Sequence, residues 1–165
     1  GVSHRLDYYS AEDLTSIVRR SAGLLEVKLE DSAAPEIARR SRGTPRIANN
    51  LLRWVRDYAL ARTQGLATAA SAITALEMLE IDKNGLDEMD KRLLQALTGK
   101  FKGGPAGLHS LAAAVGEEPG TLEEVHEPYL ILEGYLQRTQ QGRVALPRAY
   151  EVLGLKVPAS QPSLL

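Results

Sequence analysis

Apolar positions in the first half of the chain recur at helical spacing. Ser10-Ala-Glu-Asp13 resembles a capping box, and behind it Leu14, Ile17, Val18 and Leu25 fall on one face. Pro35 suits the first turn of a second, short helix that stops at Gly43. Thr44-Pro45 opens the longest helix, with Ile47, Leu51, Trp54, Val55 and Tyr58 on one stripe and Gly65 at its end. Ile73, Leu76 and Leu79 mark a fourth. Four helices in about eighty residues predict a small bundle. Residues 2–9 alternate loosely and predict a strand ahead of it.

Asp82-Lys-Asn-Gly85 is polar and turn-forming and marks a boundary. Beyond it Leu86, Met89, Leu93, Leu94 and Leu97 line an amphipathic helix. Gly103-Gly-Pro-Ala-Gly107 is a tight connection to a second helix over 108–115. A third spans 121–134 with Leu122, Val125, Tyr129 and Leu132 inward. Short β-runs at 135–139 and 143–146 flank the three-residue turn Gln140-Gln-Gly142. Three helices and then a hairpin is the order of a winged helix. The chain is therefore expected to be mainly α: a helical domain over 1–81, a winged helix over 82–155, and a flexible Pro/Ser-rich tail over 156–165.

Composition narrows the setting. With 44% hydrophobic and 25% charged residues the chain is an ordinary globular one. The absence of Cys excludes a disulfide framework and thiolate metal sites. No signal pattern and no apolar run near the ~20 residues needed to cross a bilayer is present, so a cytoplasmic protein is expected. The net charge of −1 conceals an uneven distribution. Arg39, Arg40, Arg42, Arg46, Arg53 and Arg56 cluster in one stretch, whereas 77–90 and 117–127 are acidic. After Leu136, Arg138, Arg143, Arg148 and Lys156 are opposed by Glu151 alone. Two basic surfaces follow.

Candidate chemistry is sparse. His4, His109 and His126 lack ligand spacing, and no metal is expected. The pairs Glu117–Glu118 and Glu123–Glu124 read as solvated helix starts rather than an acid/base couple, and Trp54 as core. Arg46, in the first turn of the longest helix, opposes the helix dipole at a mild cost, which points to a purpose beyond solvation. Tyr9 is placed to close the core between strand and helix. Arg138 and Arg143 flank the hairpin turn, where they either solubilise it or reach a phosphate backbone.

Two segments carry a family pattern. Residues 40–49, Arg-Ser-Arg-Gly-Thr-Pro-Arg-Ile-Ala-Asn, resemble the sensor-II segment of AAA+ ATPases. Residues 102–118, Lys-Gly-Gly-Pro-Ala-Gly-Leu-His-Ser-Leu-Ala-Ala-Ala-Val-Gly-Glu-Glu, followed by Glu127-Pro-Tyr-Leu130 and Leu136-Gln-Arg-Thr139, resemble the end of the RuvB family of Holliday-junction branch-migration motors. The resemblance runs from Val2 to about Leu155, with the second motif in order behind the first. It implies an AAA+ lid followed by a winged-helix DNA-binding domain. It further implies a hexameric, ATP-driven DNA helicase of recombination and repair, working with the junction-binding protein RuvA and the resolvase RuvC. By that resemblance Arg46 reaches the terminal phosphates of ATP, Tyr9 lies beside the adenine, and Arg138 and Arg143 on the wing contact duplex DNA. Family members often have a basic residue after the Glu-Glu pair; Pro119 stands there instead, which weakens any DNA contact from that connection.

The 165 residues contain no Gly-rich Lys-Ser/Thr phosphate loop and no acidic strand end for magnesium. The expectation is a C-terminal part whose ATPase core, holding ATP or ADP with Mg2+, precedes Gly1; alone it should be catalytically inactive. Two alternatives compete. A free-standing winged-helix regulator leaves the Gly-Thr-Pro-Arg helix without a purpose. A replication-initiator or clamp-loader relative shares the domain order but not the Gly-Gly-Pro-Ala-Gly-Leu run.

Overall fold

The computed structural model describes residues 8–159. Most of the predicted strand over 2–9 and the end of the predicted tail lie outside them. Two compact units divide at Asp87 and Glu88.

In the first unit α1 (Ala11–Leu24), α2 (Ala33–Arg39), α3 (Pro45–Arg62) and α4 (Ala69–Glu77) form the expected four helices. Three of the four starts, those of α1, α3 and α4, have a side-chain cap. Ser10 Oγ accepts from the Asp13 amide at 3.1 Å, and Thr44 Oγ1 from the Ile47 amide at 3.2 Å with Pro45 in the first turn. Thr68 and Ser71 complete a reciprocal capping box. Leu14, Val18, Ile37, Leu51, Leu52, Val55 and Leu76 fill the core. Trp54 is half-buried against it, its indole N–H donating to the Ala75 carbonyl at 2.6 Å. Leu79 lies beyond the end of α4 and is exposed, so the fourth helix is shorter than its apolar spacing predicts. Two short strands were not foreseen: β1 (Lys28–Leu29) and β2 (Leu66–Ala67) pair in parallel.

The second unit contains α5 (Glu88–Thr98), α6 (Leu108–Val115), a third helix, and the hairpin β3 (Leu136–Thr139) and β4 (Gly142–Ala145). A further helix, α9 (Pro147–Val152), follows; Pro147 in its first turn was an unread start signal. The hairpin turn is two residues, not three, because Thr139 pairs with Gly142. Gly142 belongs to the strand and not the turn because a Cβ there would meet the Ala106 carbonyl oxygen at 2.6 Å. Ala106 and Arg143 exchange both backbone hydrogen bonds, at 2.9 and 2.7 Å. The Gly-Gly-Pro-Ala-Gly segment thus pairs with β4 through an isolated bridge as well as connecting α5 to α6.

The third helix departs most from expectation. It is α7 (Pro119–Thr121), a π-helical turn (Leu122–His126) and α8 (Glu127–Leu132). In a straight α-helix the Pro128 ring would press on the Glu124 carbonyl. The π turn relieves this, with the Glu127 amide bonding the Leu122 carbonyl five residues back. The extra residue shifts the inward register. Leu130 and Glu127 become fully buried, while Val125 and Leu132, expected inward, are 57% and 47% exposed. Leu122 and Tyr129 are buried as expected.

Candidate nucleotide-sensing and DNA-contacting sites

The loop between α2 and α3 is held rigidly. Arg40 is buried and tied to Glu36, its Nη1 2.8 Å from the carboxylate and 2.9 Å from the backbone carbonyl. Ser41 Oγ donates to the Ile37 carbonyl at 2.6 Å. Arg42 and Gly43 then take left-handed conformations (φ 54° and 73°), and the Arg42 guanidinium donates to the Gly85 carbonyl at 2.9 Å. This turn directs the Gly43 carbonyl to the Tyr9 amide, 2.7 Å away. Tyr9 and Arg46, 37 positions apart in sequence, therefore flank the same five-residue stretch, since Arg46 is three residues past Gly43. Tyr8 sits against Arg42; burial pushes its phenol pKa up, and the neighbouring guanidinium partly offsets that.

Both residues are accessible. The Tyr9 side is 38% exposed. Arg46 is exposed and makes no hydrogen bond or ion pair among the described residues. The first turn of α3 carries no acidic side chain, so the positive end of the helix dipole and the guanidinium reinforce one another. An anion with several oxygens suits that pairing, because a guanidinium grips phosphate with a planar fork. An exposed aromatic ring can stack on a nucleobase.

The wing is less open than the sequence suggests. Arg138 and Arg143 lie directly opposite each other across β3 and β4. Like charges so placed destabilise a hairpin unless they are compensated. Glu127, fully buried, supplies the compensation. Its Oε1 accepts from Arg138 Nε at 3.0 Å, lies 2.9 Å from Arg138 Nη2 as an ion pair, and accepts from Arg143 Nη2 at 3.0 Å; its Oε2 accepts from Arg143 Nε at 2.7 Å. Glu123 adds a backbone acceptor for Arg138 (3.2 Å) and a carboxylate for Arg143 (3.4 Å). The hydrogen bond to Glu127 keeps the Arg143 guanidinium charged even beyond its ordinary range. The Arg138 side chain remains 43% exposed, that of Arg143 only 14%. Arg148 is also engaged, 3.0 Å from the Glu133 carboxylate and over the Tyr135 ring.

The third helix itself is acidic. Residues 119–133 include Glu123, Glu124, Glu127 and Glu133 and no Lys or Arg. Glu127 was not found by sequence reasoning; the available signal was Pro128, which announces a break in the helical register. Also missed was a buried pair 36 positions apart, Asp90 Oδ1 and His126 Nδ1 at 2.8 Å.

Residues 9–82 match the RuvB AAA lid domain and residues 83–154 the RuvB C-terminal winged helix domain. The chain belongs to the RuvB family. It is similar to the Thermotoga maritima RuvB Holliday junction branch migration motor, at 44% identity and a TM-score of 0.84 over 93% of this chain. A lysine-to-arginine mutant of that protein gives 44% and 0.85, and a proline-to-glycine mutant 43% and 0.84. This RuvB-family chain spans about half of the solved relatives' length, 51%. Among the described residues no helix is long and apolar enough to cross a membrane.

Proposed function

We propose that this chain acts within a hexameric ATP-driven DNA motor that moves Holliday junctions, with residues 1–81 sensing nucleotide and residues 82–155 holding duplex DNA. The observation that carries the reading is the shared loop of Tyr9 and Arg46. It offers an aromatic ring and an unpaired cation to one ligand, in a chain related to a branch-migration motor over 93% of its length. ATP or ADP, with Mg2+ on the ATPase core, would supply the phosphate whose cleavage drives movement. Arg46 would hold the terminal phosphates and Tyr9 the base. Because Arg46 opens the longest helix of the lid, a change in phosphate charge is felt by the whole four-helix unit. RuvA and RuvC are the partners proposed for the assembled machine.

For the winged helix the proposed role is a sequence-independent grip. An acidic third helix cannot read base edges in a groove walled by phosphates, so Arg138 on the wing carries the contact through its exposed edge. Phosphate contacts give affinity without sequence information and leave a salt signature of roughly −0.9 in the slope of log affinity against log salt per phosphate. The chain should bind two unrelated duplexes alike, and Arg138→Ala should make both slopes shallower by about 1. Strong preference for one duplex would favour a regulator, and an unchanged slope in Arg138→Ala would remove the wing from the mechanism.

A further inference from the structure

We infer that Glu127 is a positioning residue that limits how many DNA phosphates the wing can hold. The inference rests on the proposed DNA contact of the wing. Sequence places two arginines beside its turn, yet both reach one carboxylate that is fully buried. Arg138 donates Nε to Glu127, and its Nη2 lies 2.9 Å from the same carboxylate oxygen while donating to the Glu123 carbonyl, so the edge that would otherwise grip a phosphate with two parallel hydrogen bonds is occupied. Arg143 donates both Nε and Nη2 to Glu127 and is largely covered. One full negative charge thus neutralises half of the wing's pair, and of two candidate phosphate contacts only the outer edge of Arg138 remains. The π turn makes this possible, because without its extra residue Glu127 would not occupy the inward position. A translocating grip must release each phosphate it takes, and an internal carboxylate competing for the same guanidinium keeps the hold light.

A merely structural Glu127 and a masking one predict opposite signs. Glu127→Gln is close to isosteric and removes the charge, freeing Arg143 and the inner edge of Arg138. Titrating the 165-residue chain on two unrelated duplexes over a salt series, Glu127→Gln should bind more tightly than the unmodified chain. Its slope should be steeper by about 1, one further phosphate contact. If it binds more weakly with an unchanged or shallower slope, the carboxylate only supports the fold and the inference is overturned. If the circular dichroism of Glu127→Gln shows lost structure, Glu127→Gln with Arg143→Gln removes the carboxylate and its buried partner together. That double variant should bind more tightly than Arg143→Gln alone; equal or weaker binding overturns the inference. Should the unmodified chain show no salt-dependent binding, or Arg138→Ala leave it unaltered, the DNA reading of the wing fails instead. The two failures are separable.

Discussion

At the residue scale, the two wing arginines look equivalent in sequence and are not. Arg143 is a largely covered cation against a fully buried carboxylate, and removing it leaves Glu127 with one partner. Stranding part of a buried charge costs on the order of 2 kcal/mol, whereas a half-exposed ion pair such as that of Arg138 is worth less than about 1 kcal/mol. Urea unfolding should therefore show Arg143→Ala clearly destabilised and Arg138→Ala near the unmodified chain. Equal losses would mean that Glu127 does not distinguish them. The positions of Tyr9 and Arg46 follow a different logic, since neither supports the core. Both side chains are exposed, as the proposed nucleotide contact requires.

At the scale of elements, the wing depends on the Gly-Gly-Pro-Ala-Gly segment. Gly104 has φ 91°, and a Cβ there would overlap the Arg143 carbonyl oxygen. Gly104→Ala combines backbone strain with a clash against main chain, which cannot swing aside, and should cost about 3 kcal/mol. Thermal denaturation followed by circular dichroism should show a lowered melting temperature; an unchanged one would mean that the segment is not seated on β4 as described. The elements that were legible in sequence were those with a sustained period: α1, α3, α5 and α6, whose apolar residues recur over two turns or more. The hairpin was legible from its turn residues, though Gly142 was read as turn because the backbone of Ala106 packed against it is distant in sequence. β1 and β2 are two residues each and have no period to read. Val125 falls inside the π turn and Leu132 beyond it, and both are exposed where straight helical spacing puts them inward; only Pro128 announced the break in register. Arg46 and Tyr9 were singled out through the resemblance alone; the contact of Glu127 with both wing arginines is visible only once the helix and hairpin are folded together.

At the scale of the molecule, the chemistry is divided. This chain has no phosphate loop, so by itself it should show no ATP turnover above a buffer control. The most direct test of the account joins the chain to a RuvB ATPase core and follows ATP-driven migration of a synthetic Holliday junction alongside phosphate release. With the unmodified chain both should proceed. Arg46→Ala should fold normally, keep the DNA affinity and salt slope of the winged helix, and lose phosphate release and junction migration by orders of magnitude, as removal of an arginine aimed at developing phosphate charge does. Unaltered phosphate release and migration in Arg46→Ala would contradict the account.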